Sequence, residues 1–210
     1  MSSKTAAKLR TVVALSLLVA ASAAGALQDA VPAEVRAKAA PVFAALERIE
    51  AESRRPTPKR APGSPPDPAE APGARRLTFT EEQFNAWIAC RLADEKEPYV
   101  RSAMFKLLGG NKVEGRVVID LGRAQASGVL PPKQDLLLAA RFETKEGMIR
   151  IALDSLYLGT QSIAPGFLDL VIGVVSRLQG VEPTSLKDWY DLPPGVVGLE
   201  TRPGRVVVVY

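Results

Sequence analysis

Residues 135–158 read DLLLAARFETKEGMIRIALDSLYL. From Asp135 to Thr144, Leu136, Leu138, Ala140 and Phe142 fall on one side of an extended chain. Lys145-Glu146-Gly147 makes a turn. From Met148 to Leu158 the alternation returns, with Ile149, Ile151 and Leu153 set against Arg150, Ala152 and Asp154. Successive side chains of a strand point to opposite faces, so a period of two lays one apolar face against a core. Two such runs joined by a short Gly-containing turn predict an antiparallel hairpin.

The same pattern extends outward. Val113, Gly115, Val117, Ile119 and Leu121 alternate with Glu114, Arg116, Val118 and Asp120, which predicts a strand over Val113–Leu121. Val100–Leu108 reads as an earlier strand. Val196–Thr201 and Arg205–Tyr210, joined by Arg202-Pro203-Gly204, form a second hairpin. Ahead of all these, Thr80-Glu81-Glu82-Gln83 is a capping box, with Thr80 at the N-cap and Gln83 reaching back. Phe79 and Phe84 fit the accompanying hydrophobic staple, and Glu81 and Glu82 sit where the helix dipole favours anions. Phe84, Trp87, Ile88 and Leu92 form an apolar stripe that carries the helix to Ala93 and places Phe84 in the core. The fold class is α+β, built on an antiparallel sheet.

Between the hairpins, Pro165 opens a segment to Leu178 in which Phe167, Leu168, Leu170, Val171, Ile172, Val174, Val175 and Leu178 cover most of a helix's circumference. At 1.5 Å per residue it spans roughly 20 Å, too short to cross a membrane. A helix apolar nearly all round is usually buried. The alternatives are that one side lines a cavity for an apolar ligand, or that the helix docks on a membrane surface.

The N-terminus has a different character. Lys4, Lys8 and Arg10 precede an apolar run from Val12 to Ala20, followed by Ala21-Ser22-Ala23-Ala24-Gly25-Ala26. That is the pattern of a secretory signal, either cleaved or kept as an N-terminal anchor, and it predicts an extracytoplasmic protein. Residues 27–53 form a helical arm, in which Val35, Val42, Leu46 and Ile49 recur at helical spacing and Pro41 predicts a kink or two short helices. Seven prolines between Arg54 and Arg76 mark residues 54–76 as a disordered linker. Residues 77–210 remain as one domain, large enough to fold without residues 1–76.

Charge and residue types narrow the chemistry. The formal net charge of +4 comes from the signal and the linker, because Leu77–Tyr210 carries 15 Lys and Arg against 16 Asp and Glu. Nucleic acid is not an expected partner. The sequence contains no histidine, which removes Ser-His-Asp and Cys-His catalysis and the usual zinc sites. Cys90, the single cysteine, sits among Ile88, Ala89 and Leu92 and reads as a buried, inert thiol. No spacing singles out a pair of carboxylates for glycosidase-type chemistry. No catalytic residue, metal or cofactor is expected.

The order of elements resembles the small extracytoplasmic proteins of the YpmS-like and mycobacterial lipomannan-elongation type. The matching residues are Thr80, Gln83, Phe84 and Asn85; Leu158-Gly159; Pro165 with Phe167 and Leu168; and Leu192-Pro193-Pro194-Gly195-Val196. The sequence departs from the pattern at Gln83-Phe84, where Glu-Leu is more usual, and in the six residues that follow Gly159, of which only the last is proline. The resemblance implies a tubular lipid-binding (TULIP-like) domain, in which a curved antiparallel sheet wraps around one or two apolar helices and leaves an apolar groove.

Two readings of function follow. The first is a non-enzymatic module of the bacterial cell envelope that binds a lipid or other long apolar ligand, with Trp87, Phe167, Leu168, Val171, Ile172 and Val175 lining the groove. The second is a membrane-proximal structural or protein-interaction module with a filled core. A continuous apolar pocket distinguishes them, since a core at native density has none. Asn85 is either a polar contact at the groove mouth or an amide that satisfies the backbone where helix meets sheet.

Overall fold

The computed structural model describes residues 31–54, 75–94, 100–120, 133–164, 166, 185 and 187–210. The expected signal, the linker from 55 to 74 and, apart from Gly166, the apolar segment 165–178 lie outside the described residues.

Among the described residues the order is α1 (Ala33–Ser53), β1 (Arg76–Thr80), α2 (Glu81–Ala93), β2 (Val100–Leu107), β3 (Lys112–Asp120), β4 (Lys133–Lys145), β5 (Met148–Leu158), β6 (Gln161–Ser162), β7 (Tyr190–Asp191), β8 (Gly198–Arg202) and β9 (Arg205–Val209). The class is α+β with a curled antiparallel sheet and two helices, as the alternating runs and the capping box predict. The main sheet runs β2-β3-β4-β5-β6, with β7 joined to the start of β5, and a smaller sheet runs β1-β9-β8. The central hairpin is β4–β5, closed by Glu146 at φ 52 and Gly147 at φ 76.

Two bulges accompany the curl. The β2–β3 register shifts between Val100 and Ser102, and the β4–β5 register shifts between Ala139 and Ala140, which face Ser155 and Leu153. A bulge adds a residue to one strand, bends it and sharpens its twist. Asp154 is the added residue in β5. It moves the inward phase from Ile149, Ile151 and Leu153 to Leu156 and Leu158, and Leu156 is fully buried.

The outer face carries ion pairs: Arg101–Asp120, Lys106–Glu114, Arg116–Asp135, Arg141–Asp154 and Arg150–Glu143. Exposed pairs of this kind add little stability. They do keep that face wet. In the same layer Met104, Arg116, Leu137 and Tyr157 form one cross-strand row, and Met104, Leu137 and Tyr157 are exposed.

The helix read as an arm outside the domain packs into it. Val42, Ala45 and Ile49 of α1 belong to a buried cluster with Phe79, Leu107, Leu192, Val196, Val206 and Val208. Ala39 packs with Ala86 and Cys90 of α2, so small residues let the two helices approach. The alanine-rich composition of α1 suits either a stalk or a packing arm, and α1 is packed helix on helix. Pro41 does not divide the helix, which runs as one 21-residue element. Pro41 is on the exposed side, so its lost N–H bond falls where water can serve the freed carbonyl. Arg75 and Arg76, assigned to the linker, pair with the C-terminal strand: Arg75 exchanges backbone bonds with Tyr210 at 2.8 and 3.0 Å.

Gly195 fixes how closely α1 docks. It adopts φ +87, and a Cβ there would stand 2.8 Å from Cγ2 and 2.9 Å from the carbonyl oxygen of Ile49. Gly195→Ala should therefore destabilise the protein by about 1–3 kcal/mol through backbone strain alone, read as a lower midpoint in urea. Expressing residues 77–210 by themselves should abolish cooperative unfolding. A shift of only a few degrees in the melt of that fragment would mean α1 is dispensable.

Candidate functional site

The inner face of the curled sheet, α1, α2 and the small sheet enclose a partly open apolar cavity of about 240 Å³. Its floor is sheet: Val113, Val117 and Ile119 of β3, Leu136, Leu138 and Phe142 of β4, and Ile149, Ile151 and Leu153 of β5. Its roof is Phe84 and Trp87 of α2 with Val42 and Leu46 of α1. The small sheet and its approach supply Phe79, Leu199, Val206, Val208, Leu192 and Val196.

Two buried clusters flank it. One gathers around α1 and the small sheet; the other joins Ile88 and Leu92 of α2 to Val100, Ala103, Ile119, Leu136 and Leu156. Phe84, Trp87 and Phe105 pack against both. Phe84 lies 6.0 Å from Trp87 and 6.4 Å from Phe105, ring centre to ring centre. Phe105 faces Gly115 across β2–β3, where a Cβ would meet its ring at 2.8 Å. Gly115 thus makes room for the ring against the sheet.

Helix α2 is held over the sheet by polar bonds to the free edge of β2. The Asn85 amide donates to the Phe105 carbonyl and its carbonyl oxygen accepts from the Phe105 N–H, both at 2.7 Å. Two residues on, the Leu107 N–H donates to Glu81 Oε2 at 2.6 Å, and the Leu107 carbonyl accepts from the Gly204 N–H at 2.9 Å. The Glu81 N–H in turn donates to the Gly204 carbonyl at 2.9 Å. At the same helix end the capping box is complete: Gln83 N–H donates to Thr80 Oγ1, and Thr80 N–H donates to Gln83 Oε1.

Of the two readings of Asn85, the backbone-satisfying one describes its bonds. Trp87 lines the cavity and is half-buried, while Phe167, Leu168, Val171, Ile172 and Val175 lie outside the described residues. Phe84, expected in the core, is half-buried too, because the side of α2 it shares with Trp87 faces the lumen. The fully packed sides of α2 are Ala86 and Cys90 towards α1, and Ile88 and Leu92 towards the sheet. The sheet wall of the cavity was legible as inward-facing side chains, but nothing in alternation reveals that the space between them is unfilled.

The chemistry on offer is slight. Among the described residues, the side chains with polar atoms in the lining are Arg141, whose guanidinium pairs with Asp154 on the outer face, Thr201, whose hydroxyl is bonded to the Lys112 carbonyl, Tyr190, whose hydroxyl donates to the Ser185 carbonyl, and Trp87. Burial pushes the Cys90 thiol upward, the nearby Asp94 adds to that, and Arg36 opposes it, so the protonated, weakly nucleophilic form is favoured. Among the described residues no cluster of three or more potential ligands could hold a metal ion, and no helix is long and apolar enough to cross a membrane. Comparison with protein-family models gives no match, and comparison with curated proteins gives none.

Asn85→Ala strands two partly buried backbone groups and should cost about 2–3 kcal/mol. Phe84→Ala should cost less than the roughly 3–5 kcal/mol of a fully buried Phe, since the ring already borders open space. Paired denaturant melts giving the reverse order would place Phe84 in a filled core.

Proposed function

We propose that this protein is a non-enzymatic binding module for a lipid or other long apolar ligand in the bacterial cell envelope. The observation that carries the reading is the apolar cavity between two packed clusters. Protein interiors are close-packed, with few voids larger than a water molecule. An empty closed cavity of about 240 Å³ would cost up to about 6 kcal/mol at ~24 cal/mol per Å³, and partial opening to solvent lowers that bound. Total stabilities are only about 5–15 kcal/mol. A chain that sustains such a space is better accounted for by an occupant than by poor packing.

Absence of histidine from the sequence and the scarcity of polar groups in the wall support binding rather than catalysis. The N-terminal pattern supports export, with residues 1–26 either removed or retained as an anchor near the membrane. The resemblance to tubular lipid-binding domains points the same way, and the apolar circumference of the segment from Pro165 to Leu178 offers Phe167, Leu168, Val171, Ile172 and Val175 as groove residues beside Trp87.

A second reading has its own observation. Met104 of β2, Leu137 of β4 and Tyr157 of β5 expose apolar surface in one row with Arg116 of β3, a feature that suits a protein-interaction module.

Binding and bulk packing separate by mutation. Ile151→Ser alters a half-buried cavity residue, whereas Ile88→Ser places a hydroxyl at a position with 1% exposure. The first should weaken uptake of a fluorescent fatty-acid analogue with little loss of stability. The second should cost several kcal/mol. If the analogue is not taken up by the wild-type chain, or Ile151→Ser leaves uptake unchanged, the interaction module becomes the better account.

A further inference from the structure

The cavity is long for its volume. Along β4 its wall runs from Leu136 to Phe142, a rise of about 20 Å at ~3.4 Å per residue. Yet the space amounts to about 240 Å³, below the roughly 300–1,000 Å³ of sites for drug-sized molecules. The aromatic group of Phe84, Trp87 and Phe105 stands between the two flanking clusters. Phe105 packs against the sheet at Gly115, and Phe84 and Trp87 border the lumen from the roof. About 240 Å³ spread over that length leaves room for one chain, and not for a fused ring system or a pair of chains abreast.

Among the described residues the wall also offers no unpaired charge. Arg141 is engaged by Asp154 at 2.9 Å, and the Thr201 hydroxyl by the Lys112 carbonyl. A charged head group drawn inside would lose its water and meet no unpaired opposite charge among the described residues, which is prohibitive. Any polar end stays at the opening.

Resting on the binding function proposed above, we infer that the ligand is a single unbranched hydrocarbon chain, lying lengthwise in the lumen with its polar end outside. Shape and burial of methylene groups provide the selectivity, and head-group chemistry does not.

The test uses the full chain with saturated fatty acids of increasing length, their methyl esters, cholesterol, and vesicles of diacylphosphatidylcholine. Each added methylene should tighten binding about fourfold until the chain outgrows the lumen, and then the gain should stop. Methyl esters should bind as well as the acids, and raised salt should leave affinities unchanged. Leu138→Phe, which adds bulk on the cavity floor, should move the plateau to shorter chains. Phe105→Leu, which trims a ring from the wall, should let cholesterol in.

Cholesterol or diacyl lipid outcompeting every single chain would overturn the inference, as would affinity independent of length or a strong preference for acid over ester. In each of these cases the protein still binds an apolar molecule, so the binding function survives. Failure of all the probes, whatever their shape, would instead overturn the binding function itself. The wild-type series decides between these outcomes even where a variant does not fold.

Discussion

The outer edge of β2 is the constraint on which the rest of this fold turns. An edge strand presents unpaired N–H and C=O groups that must find partners or invite another strand. Here a helix supplies them: Asn85 takes both groups of Phe105, Glu81 takes the Leu107 N–H, and the turn at Gly204 takes the Leu107 carbonyl. Because these bonds anchor α2 along the edge rather than flat on the sheet, the helix roofs the concave face instead of filling it. Its capping box and its first-turn Glu81 place that helix start where the small sheet ends.

Helix α2 then has three duties and too few faces for complete burial. Ala86 and Cys90 meet α1, and Ile88 and Leu92 meet the sheet. Phe84 and Trp87 turn towards the lumen and stay half-buried. The bulges at Arg101 and Asp154 bend the sheet, so its inner face cannot close against a single helix. Two clusters pack well at either end, and the space between them is the cavity. A partly open apolar wall leaves surface that a covering molecule would remove from water.

How far all this was legible in the sequence depended on the range of each interaction. The β4–β5 hairpin and the Thr80 capping box rest on neighbours within a few residues, and both have their expected form. Strand β1 was missed because five residues, Arg76–Thr80, are stabilised by pairing with β9 more than 120 positions later. The docking of α1 depends on Gly195, and the role of Glu81 depends on Leu107; no local pattern encodes either contact. The bulge in β5 did leave a trace, in the switch from odd apolar positions at 149, 151 and 153 to even ones at 156 and 158. For the site, Trp87 was the one expected wall residue among the described positions. The inward residues of β3, β4 and β5 read as ordinary core, because periodicity reports which way a side chain faces and not what it meets.

The central claim is that the fold keeps an apolar lumen beneath α2. Xenon probes this directly, because it enters dry apolar cavities without needing a polar contact. Methyl chemical shifts of the full chain, recorded under increasing xenon pressure, should move and saturate at Val117, Leu138 and Ile151, which line the space. Ile88 and Val207, buried outside that wall, should stay still. Small linear shifts spread evenly over buried methyls, with no saturation at the lining residues, would contradict the account and leave a filled core.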